Sequence, residues 1–389
     1  MKGHIKQRSA GHFAIVLDTR DPQTGKRRRK WISFSGTLRG ARIECARLVT
    51  EMKSGAYVDA TRETIAAFLD RWIEHMQGQV SPRSLERYAE LCRNNIAPLL
   101  GAIPLTKLQP ANISQAYAKA LASGRRDGTG GLSPLTVHHM HRVLREALQQ
   151  AVRWQLLARN PVDAVRPPKV ERKQMQTLDA EATVVLIEAA RGTNLFMPIL
   201  LGVLCGLRRG EITALRWRSI DLDRGQLSVT ASTEQTNRGI REKETKSGKS
   251  RTVALPSLIV DELRRHRVAQ AEGLLAAGVR LTDDHHVVAR EDGQPLQPRS
   301  LTHAFVKFVR GHGLAPIRLH DLRHSHATHM LASGVHPKIA QERLGHSSVS
   351  VTIDLYSHVL PGMQAEAVSR VDAVLRDALN RRAVPTKKW

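Results

Sequence analysis

The residues best equipped for chemistry lie between Arg318 and His358, in the run RLHDLRHSHATHMLASGVHPKIAQERLGHSSVSVTIDLYSH. His320 and Arg323 stand three residues apart at the start of a predicted helix, a spacing that puts both on one face. His346 follows a Leu-Gly turn, and Tyr356 comes ten residues later. Attack of a phenol oxygen on a phosphodiester needs a cation to hold the anion, groups to move protons, and the phenol itself. An arginine, two histidines and a tyrosine are such a set. A second arginine and a lysine are then sought elsewhere in the chain. Candidates are the Arg208-Arg209 pair in Cys-Gly-Leu-Arg-Arg-Gly-Glu (205–211), and a lysine in the polar tip Glu-Thr-Lys-Ser-Gly-Lys-Ser (244–250).

The same histidines admit a metal reading. His320 and His324 are four apart, with His326 and His329 close behind. The glutamate of an HExxH zinc helix is absent, however, and Arg323 would repel a cation, so no metal is expected. His324, His326 and His329 read instead as core or helix-face residues.

Composition names the partner class. The 389 residues carry 60 Lys+Arg against 36 Asp+Glu, a formal charge of +24. Basic residues outnumber acidic ones 13 to 5 over 1–60, 15 to 8 over 61–170 and 32 to 23 over 171–389, so no single tail holds the excess. A chain basic throughout is drawn to a polyanion, and DNA or RNA fits best; the alternative is a basic protein whose charges are merely solvated. Cys45, Cys92 and Cys205 are far apart and form no CxxC pair, which speaks against a disulfide framework and for a reducing compartment. The apolar run Leu195–Leu207 is shorter than the roughly 20 residues of a membrane span. The N-terminal stretch has no continuous apolar signal segment, so a cytoplasmic protein is expected.

The elements that must position these residues fall into three parts and a linker. Residues 1–55 read as strands at 5–8, 12–18 and 30–34, with a turn at 21–25, then a helix over 37–52. The run Lys26, Arg27, Arg28, Arg29, Lys30 opens the last strand, and alternate side chains would face one side of a three-stranded sheet narrow enough for a DNA major groove. Equally, such a run can simply solubilise an edge strand. Residues 61–165 show helical spacing over 64–76, 81–96, 112–123 and 133–155, with Pro82 and Pro134 at first-turn positions behind serine caps. Arg83, Arg87 and Arg93 on one helix, and His138, His139, Arg142 and Arg145 on another, can line a basic groove or form ordinary solvated faces. Pro167 and Pro168, with the cations after them, mark a linker over 166–175.

Residues 176–389 read as a further α+β domain. It opens on a helix capped by Asp179, followed by an apolar helix from Leu195. Gly206 and Gly210 are expected to form one tight turn before a helix beginning at Glu211. Short strands follow at 220–222, 226–230 and 251–255, then helices over 256–276, 300–312, 320–332 and 336–344. A last helix over 364–380 carries Ala365, Val368, Val371, Val374, Leu375 and Leu379 on one face. That stripe can pack on its own domain, the default, or enter a groove of a neighbouring subunit.

At this point the chain resembles the tyrosine recombinase (phage integrase) family. Four matches carry the resemblance: GLRRGE at 206–211, TKSG at 245–248 before a strand, HDLRH at 320–324, and LGH at 344–346 with TxxxYSH at 352–358. By pattern and position, 61–165 resembles the family's helical core-binding domain and 1–55 the arm-binding domain of integrases that recognise two kinds of DNA site. The resemblance implies that Arg208 and Arg323 grip the scissile phosphate, Lys246 is the hairpin lysine, His320 and His346 are the two histidines, and Tyr356 is the nucleophile. Glu211 matches an acidic residue that supports the active-site fold. Arg209 is the one alternative to Arg208. The implied activity is integration and excision of a mobile element through a 3′-phosphotyrosine, with no cofactor, by a homotetramer on double-stranded core- and arm-type attachment sites. A host DNA-bending protein and an excision factor are implied partners.

The chemistry suits these residue types. The five-coordinate phosphorane formed during attack carries added charge, and two arginines offer fixed forks that keep theirs. Tyrosine, with a pKa of about 10, must lose its proton on attack. His320 can take or relay that proton, His346 can bond a phosphate oxygen, and Lys246 can protonate the leaving 5′ oxygen. Two other readings stand beside this one: a type IB topoisomerase, which uses a similar set as a monomer, and a DNA-binding regulator that does not rely on catalysis. The arm-like module and the helix after the tyrosine favour the integrase.

Overall fold

The computed structural model describes residues 3–20, 27–53, 62–171, 175–244, 250–356 and 363–383; within these spans the side chains at 19, 20, 28, 53, 244, 351, 354–356, 363–367, 370 and 380–383 are outside the description. The chain divides into two compact units, Met1–Glu171 and Arg172–Trp389.

The first unit opens with β1 (Gly3–Ser9), β2 (His12–Arg20) and β3 (Arg27–Ser35), an antiparallel sheet in that order, followed by α1 (Leu38–Lys53). Side chains alternate along a strand, so the register Ile5↔Ile15↔Ile32 puts three isoleucines on one face. There Ile15 and Leu17 meet Cys45 and Leu48 of α1. Gly3 permits this approach, since a Cβ would sit 2.7 Å from the Cys45 sulfur. The opposite face carries Trp31, 48% exposed, with Lys6 and Arg8 over its ring at 5.5 and 5.8 Å. The turn expected at 21–25 and Lys26 lie outside the described residues.

Helices follow: α2 (Ile65–His75), α3 (Pro82–Leu91), α4 (Ala97–Leu100), α5 (Pro110–Ser123) and α6 (Pro134–Arg153). Thr64, Ser81 and Ser133 cap α2, α3 and α6 by accepting from the backbone N–H three residues on, and Pro82 and Pro134 sit in first turns that need no donor from them. The single helix expected over 81–96 is instead interrupted by a π turn at Cys92–Ile96. Pro98 is the physical reason: it has no N–H, and its ring would press on the carbonyl four residues back, so the helix widens just before it. The core gathers Phe68, Trp72, Ile96, Ile113 and Leu144, among others.

The second unit runs α7 (Ala180–Ala190), α8 (Phe196–Cys205), α9 (Arg209–Ala214), β4 (Ile220–Asp221), β5 (Gln226–Val229), β6 (Ala231–Thr236), β7 (Gly239–Glu244), β8 (Arg251–Ala254), α10 (Ser257–Ala276), α11 (Pro298–Gly311), α12 (Asp321–Ala332), α13 (Pro337–Leu344), α14 (Val349–Tyr356) and α15 (Met363–Ala383). Asp179 caps α7 as expected. β4, β5 and β8 form one antiparallel sheet, and β6 and β7 form a separate hairpin. Buried α8 is the central element, and Gly202 lets it close on Leu322 of α12.

Three further expectations need correction. Gly210 is not part of a turn with Gly206; it lies inside α9, where a Cβ would run into Ser232 and the Thr233 carbonyl, so its smallness serves the approach of β6. The β6–β7 hairpin was not expected, because ASTEQT and GIREKE lack apolar alternation. Contacts of β6 with α9, such as Thr233 Oγ1 donating to the Gly210 carbonyl (3.2 Å), hold it. Finally, the apolar stripe of α15 does not pack on its own domain: Val368, Val371, Val374, Leu375 and Leu379 are each more than half exposed. Among the described residues no helix is long and apolar enough to cross a membrane.

Candidate active site

The C-terminal end of α8 starts the site. Gly206 adopts the left-handed conformation (φ 66°, ψ 26°), which ends the helix and turns the chain toward Arg208. Arg208 is the extended residue before α9, and Glu211, in the first turn, reaches back to accept from its backbone N–H (2.9 Å). The Glu211 carboxylate also accepts from Arg208 Nη1 at 2.8 Å, and from Arg251 Nη1 and Nη2 at 2.9 and 2.6 Å. Burial raises the Glu211 pKa, but the hydrogen bonds and charge of Arg251, with those of Arg208, overcome this and hold it at about 2.

The turn bearing His346 is built from the other side. A helix ends with carbonyls that have no partner of their own. At the end of α13 side chains supply the donors. The Arg343 carbonyl accepts from Arg251 Nε (2.8 Å), Leu344 from Arg323 Nη2, Gly345 from Arg208 Nη2 (2.8 Å), and His346 from Gln341 Nε2 (2.6 Å). Arg323 Nη1 donates to the Gly206 carbonyl as well, at 2.6 Å. Three guanidinium groups from α9's entrance, β8 and α12 thus converge on one turn, with one buried carboxylate among them. The excess positive charge favours an anion.

The imidazoles sit inside that field. His346 Nδ1 lies 2.9 Å from Thr352 Oγ1 on α14, and the His320 and His324 rings meet edge to face at 4.9 Å. Burial, then the charge of Arg323, lowers the pKa of His320. The same two causes, with Arg208 added, take His346 down to about 4. Burial and the charge of His320 bring His324 to about 4, and burial with Arg343 does so for His326. Neutral rings at pH 7 are able to accept a proton.

A stability prediction follows from the sign of these shifts. Folded-state values of about 4 lie below the ordinary 6.5, so between these limits the unfolded chain binds more protons than the folded one. Stability is therefore expected to fall as pH drops below 6.5, with this loss complete near 4. Melting temperatures across that range test it, and a flat profile between pH 7 and 5 would refute it.

Four of the six residues singled out from sequence have described side chains, and these four come together. They are not equally open: the Arg208 side chain is 38% exposed, whereas Arg323 is 1% exposed and committed to backbone carbonyls. Arg209 turns elsewhere, donating to Thr302 of α11 at 2.8 Å. Lys246 lies outside the described residues. Tyr356 is the last residue of α14, one helical turn beyond Thr352, and its side chain is outside the description.

Among the cations assigned to DNA, Arg27 and Arg29 share Asp18 at 2.7 and 3.4 Å, while Arg28's side chain is not described and Lys30 is half-buried. Arg83 pairs with Glu86, Arg87 with Glu90 and Arg145 with Asp163, while Arg142 lies near Tyr88 and His139. Exposed pairs of this kind contribute little and give way readily to a phosphate. Sequence reading missed Arg251 and Arg343. Arg343 is held by His326 Nε2 (3.0 Å) and by the Ala254 and Leu204 carbonyls (2.9 and 3.1 Å). Neither arginine belongs to a motif, and only partners distant in sequence reveal them.

Comparison with known proteins agrees with this architecture. Residues 170–362 match the phage integrase family, and residues 64–121 match the phage integrase N-terminal SAM-like domain. The ICEBs1 integrase of Bacillus subtilis (strain 168) is 31% identical over 261 residues, 63% of this chain and 67% of that protein. A tyrosine recombinase XerC-like protein of Caldanaerobacter subterraneus subsp. tengcongensis is 27% identical over 383 residues, covering 93% of this chain and 96% of the relative. The Tn1549 transposon integrase, solved with a circular intermediate DNA, shares the fold with a TM-score of 0.67 at 18% identity, over 79% of this chain and 99% of that one. The chain belongs to the phage integrase family of tyrosine recombinases and is a DNA-binding enzyme that cuts and rejoins DNA in the site-specific recombination of a mobile element.

Proposed function

We propose that this recombinase is an arm-binding integrase with three working parts: residues 1–55 bind arm-type DNA, residues 61–165 bind core-type DNA, and residues 176–389 carry out catalysis beyond a linker at 166–175. The observation that carries the catalytic assignment is the turn 343–346, where Arg208, Arg323 and Arg251 converge beside His346. In this reading Tyr356 Oη attacks the scissile phosphorus and the bond to the 5′ oxygen breaks. The tyrosine proton passes to His320, which is neutral at pH 7, and Lys246 returns a proton to the leaving oxygen. Arg208 meets the phosphate directly. Arg323 supplies fixed charge from its buried position and reaches the anion only if the Leu344 carbonyl yields its place. His346, steadied by Thr352, bonds a phosphate oxygen. Reversal by a second 5′ hydroxyl completes strand exchange, and no cofactor enters the scheme.

The arm reading rests on the open face of the N-terminal sheet, where Lys6 and Arg8 lie over Trp31 and Arg27 and Arg29, on the same face of β3, pair with Asp18. Such a face offers phosphate contacts and one aromatic platform to a groove. The uncovered stripe of α15 supports assembly of several copies on DNA, a homotetramer in the full reaction, and it counts against a monomeric topoisomerase. A host DNA-bending protein and an excision factor would complete the reaction in the cytoplasm.

One assay tests the arrangement, using DNA copied from the element–chromosome junctions flanking the gene. The full chain should recombine two such sites. A chain lacking residues 1–55 should still cleave a core duplex while recombination of full sites falls by about 100-fold or more, the scale on which linked binding modules add avidity. Undiminished recombination would remove the arm assignment, and efficient relaxation of a supercoiled plasmid with no junction sequence would favour the topoisomerase.

A further inference from the structure

Arg251 belongs to no motif, yet its side chain makes three hydrogen bonds at the site. It is the first residue of β8, and its side chain is only 12% exposed. A carboxylate offers about four lone-pair directions. At Glu211, itself 4% exposed, four donors occupy them: Arg251 Nη1 and Arg208 Nη1 on Oε1 (2.9 and 2.8 Å), and Arg251 Nη2 and the Arg208 backbone N–H on Oε2 (2.6 and 2.9 Å). Arg251 therefore holds the two-pronged pairing, and Arg208 is left with one side-chain bond to the carboxylate. Its other prong donates to the Gly345 carbonyl (2.8 Å), at the more open side of the cluster.

The alternative state is simple to describe. With one arginine instead of two, a buried carboxylate takes the fork of that arginine, because two parallel charge-assisted bonds outcompete one. Arg208 would then be drawn off Gly345 and its charge cancelled, where now two cations share one anion. The Arg343 carbonyl would also lose its donor, the Arg251 Nε–H. Gly345 is shaped around this side chain: it has φ +64°, and a Cβ there would lie 3.1 Å from both Cδ and Nη1 of Arg251.

We propose that Arg251 is a positioning residue for strand cleavage: it occupies the fork of Glu211 so that Arg208 stays available to the phosphate, and it anchors the turn that presents His346. This rests on the reading of Arg208 as a phosphate ligand, and the test separates the two. Full-length wild type, Arg208→Ala, Arg251→Met, Arg251→Lys and Arg251→Met/Glu211→Gln are compared in single-turnover cleavage of a nicked duplex copied from the element junction, at saturating DNA. Affinity and melting temperature are measured separately.

Arg251→Met is expected to cleave about 10- to 100-fold more slowly, the usual penalty for losing a group that orients a functional ligand, with DNA affinity within about twofold of wild type. Arg251→Lys keeps the charge without the fork and should fall between the two. Removing the carboxylate's charge frees Arg208 again, so the double variant should be faster than Arg251→Met alone. Packing by itself would not produce that recovery. The proposal is overturned if Arg251→Met cleaves at the wild-type rate, if its defect lies in affinity instead of rate, or if the double variant is no faster. Should Arg251→Met fail to fold, Arg251→Lys decides, and a wild-type rate there would be fatal. Normal cleavage by Arg208→Ala would overturn the phosphate assignment itself, and this proposal with it.

Discussion

Tyr356→Phe is expected to bind junction DNA like the wild type and to form no covalent adduct with it. The substitution removes one oxygen, leaves the ring and changes no charge. What disappears is the only atom assigned to attack phosphorus. In the proposed scheme His320 only takes the proton and His346 only bonds a phosphate oxygen, so neither replaces the phenol as nucleophile. The expected loss is therefore complete at the sensitivity of the assay, beyond the roughly 100- to 1,000-fold that follows from deleting a single stabilising donor. A nicked duplex that traps the cleaved intermediate, resolved under denaturing conditions beside a gel-shift titration, reads both quantities. A trapped adduct in the phenylalanine variant would transfer the nucleophile to another residue.

Arg208→Ala and Arg323→Ala should share a cleavage defect of about 100- to 1,000-fold and differ sharply in stability. Arg208 is partly exposed, and when it is lost Glu211 keeps both prongs of Arg251, so the folded state should give up only about 1 kcal/mol. Arg323 is 1% exposed, and its loss strips donors from the Gly206 and Leu344 carbonyls while opening a hole beneath the turn. Buried carbonyls left unpaired cost about 1–3 kcal/mol each, so a total near 3–5 kcal/mol is expected. For a unit of this size that corresponds to a melting point lower by about 10 °C. Calorimetry of the two variants decides it. If Arg323→Ala melts with the wild type, the carbonyls of the turn are not held by that side chain.

Many local features are legible in the sequence. Ser81-Pro82, Ser133-Pro134 and Asp179 announce helix starts, and Thr64 behaves likewise, because capping is settled between residues two or three apart. Gly206 and Gly345 mark helix ends for the same reason, both in the left-handed region that glycine tolerates. The polar hairpin β6–β7 was invisible since its strands are held by α9 and by each other and carry no apolar rhythm. The tail stripe was legible as a stripe, but its exposure was not.

By itself, the amino-acid sequence determined the integrase motifs, the helices that carry Arg323 and lead to His346, and the positive charge that draws the chain to DNA, all of which are written in residue type and short spacing. Tertiary structure alone decided that Arg208 is open while Arg323 is enclosed, that Arg209 faces α11, and that Arg251 takes the fork of Glu211. These outcomes depend on bonds such as Arg208 to Gly345, 137 residues apart, and Arg251 to Arg343, 92 apart. A guanidinium can bond any carbonyl or carboxylate within reach, and only the folded chain determines which ones are within reach.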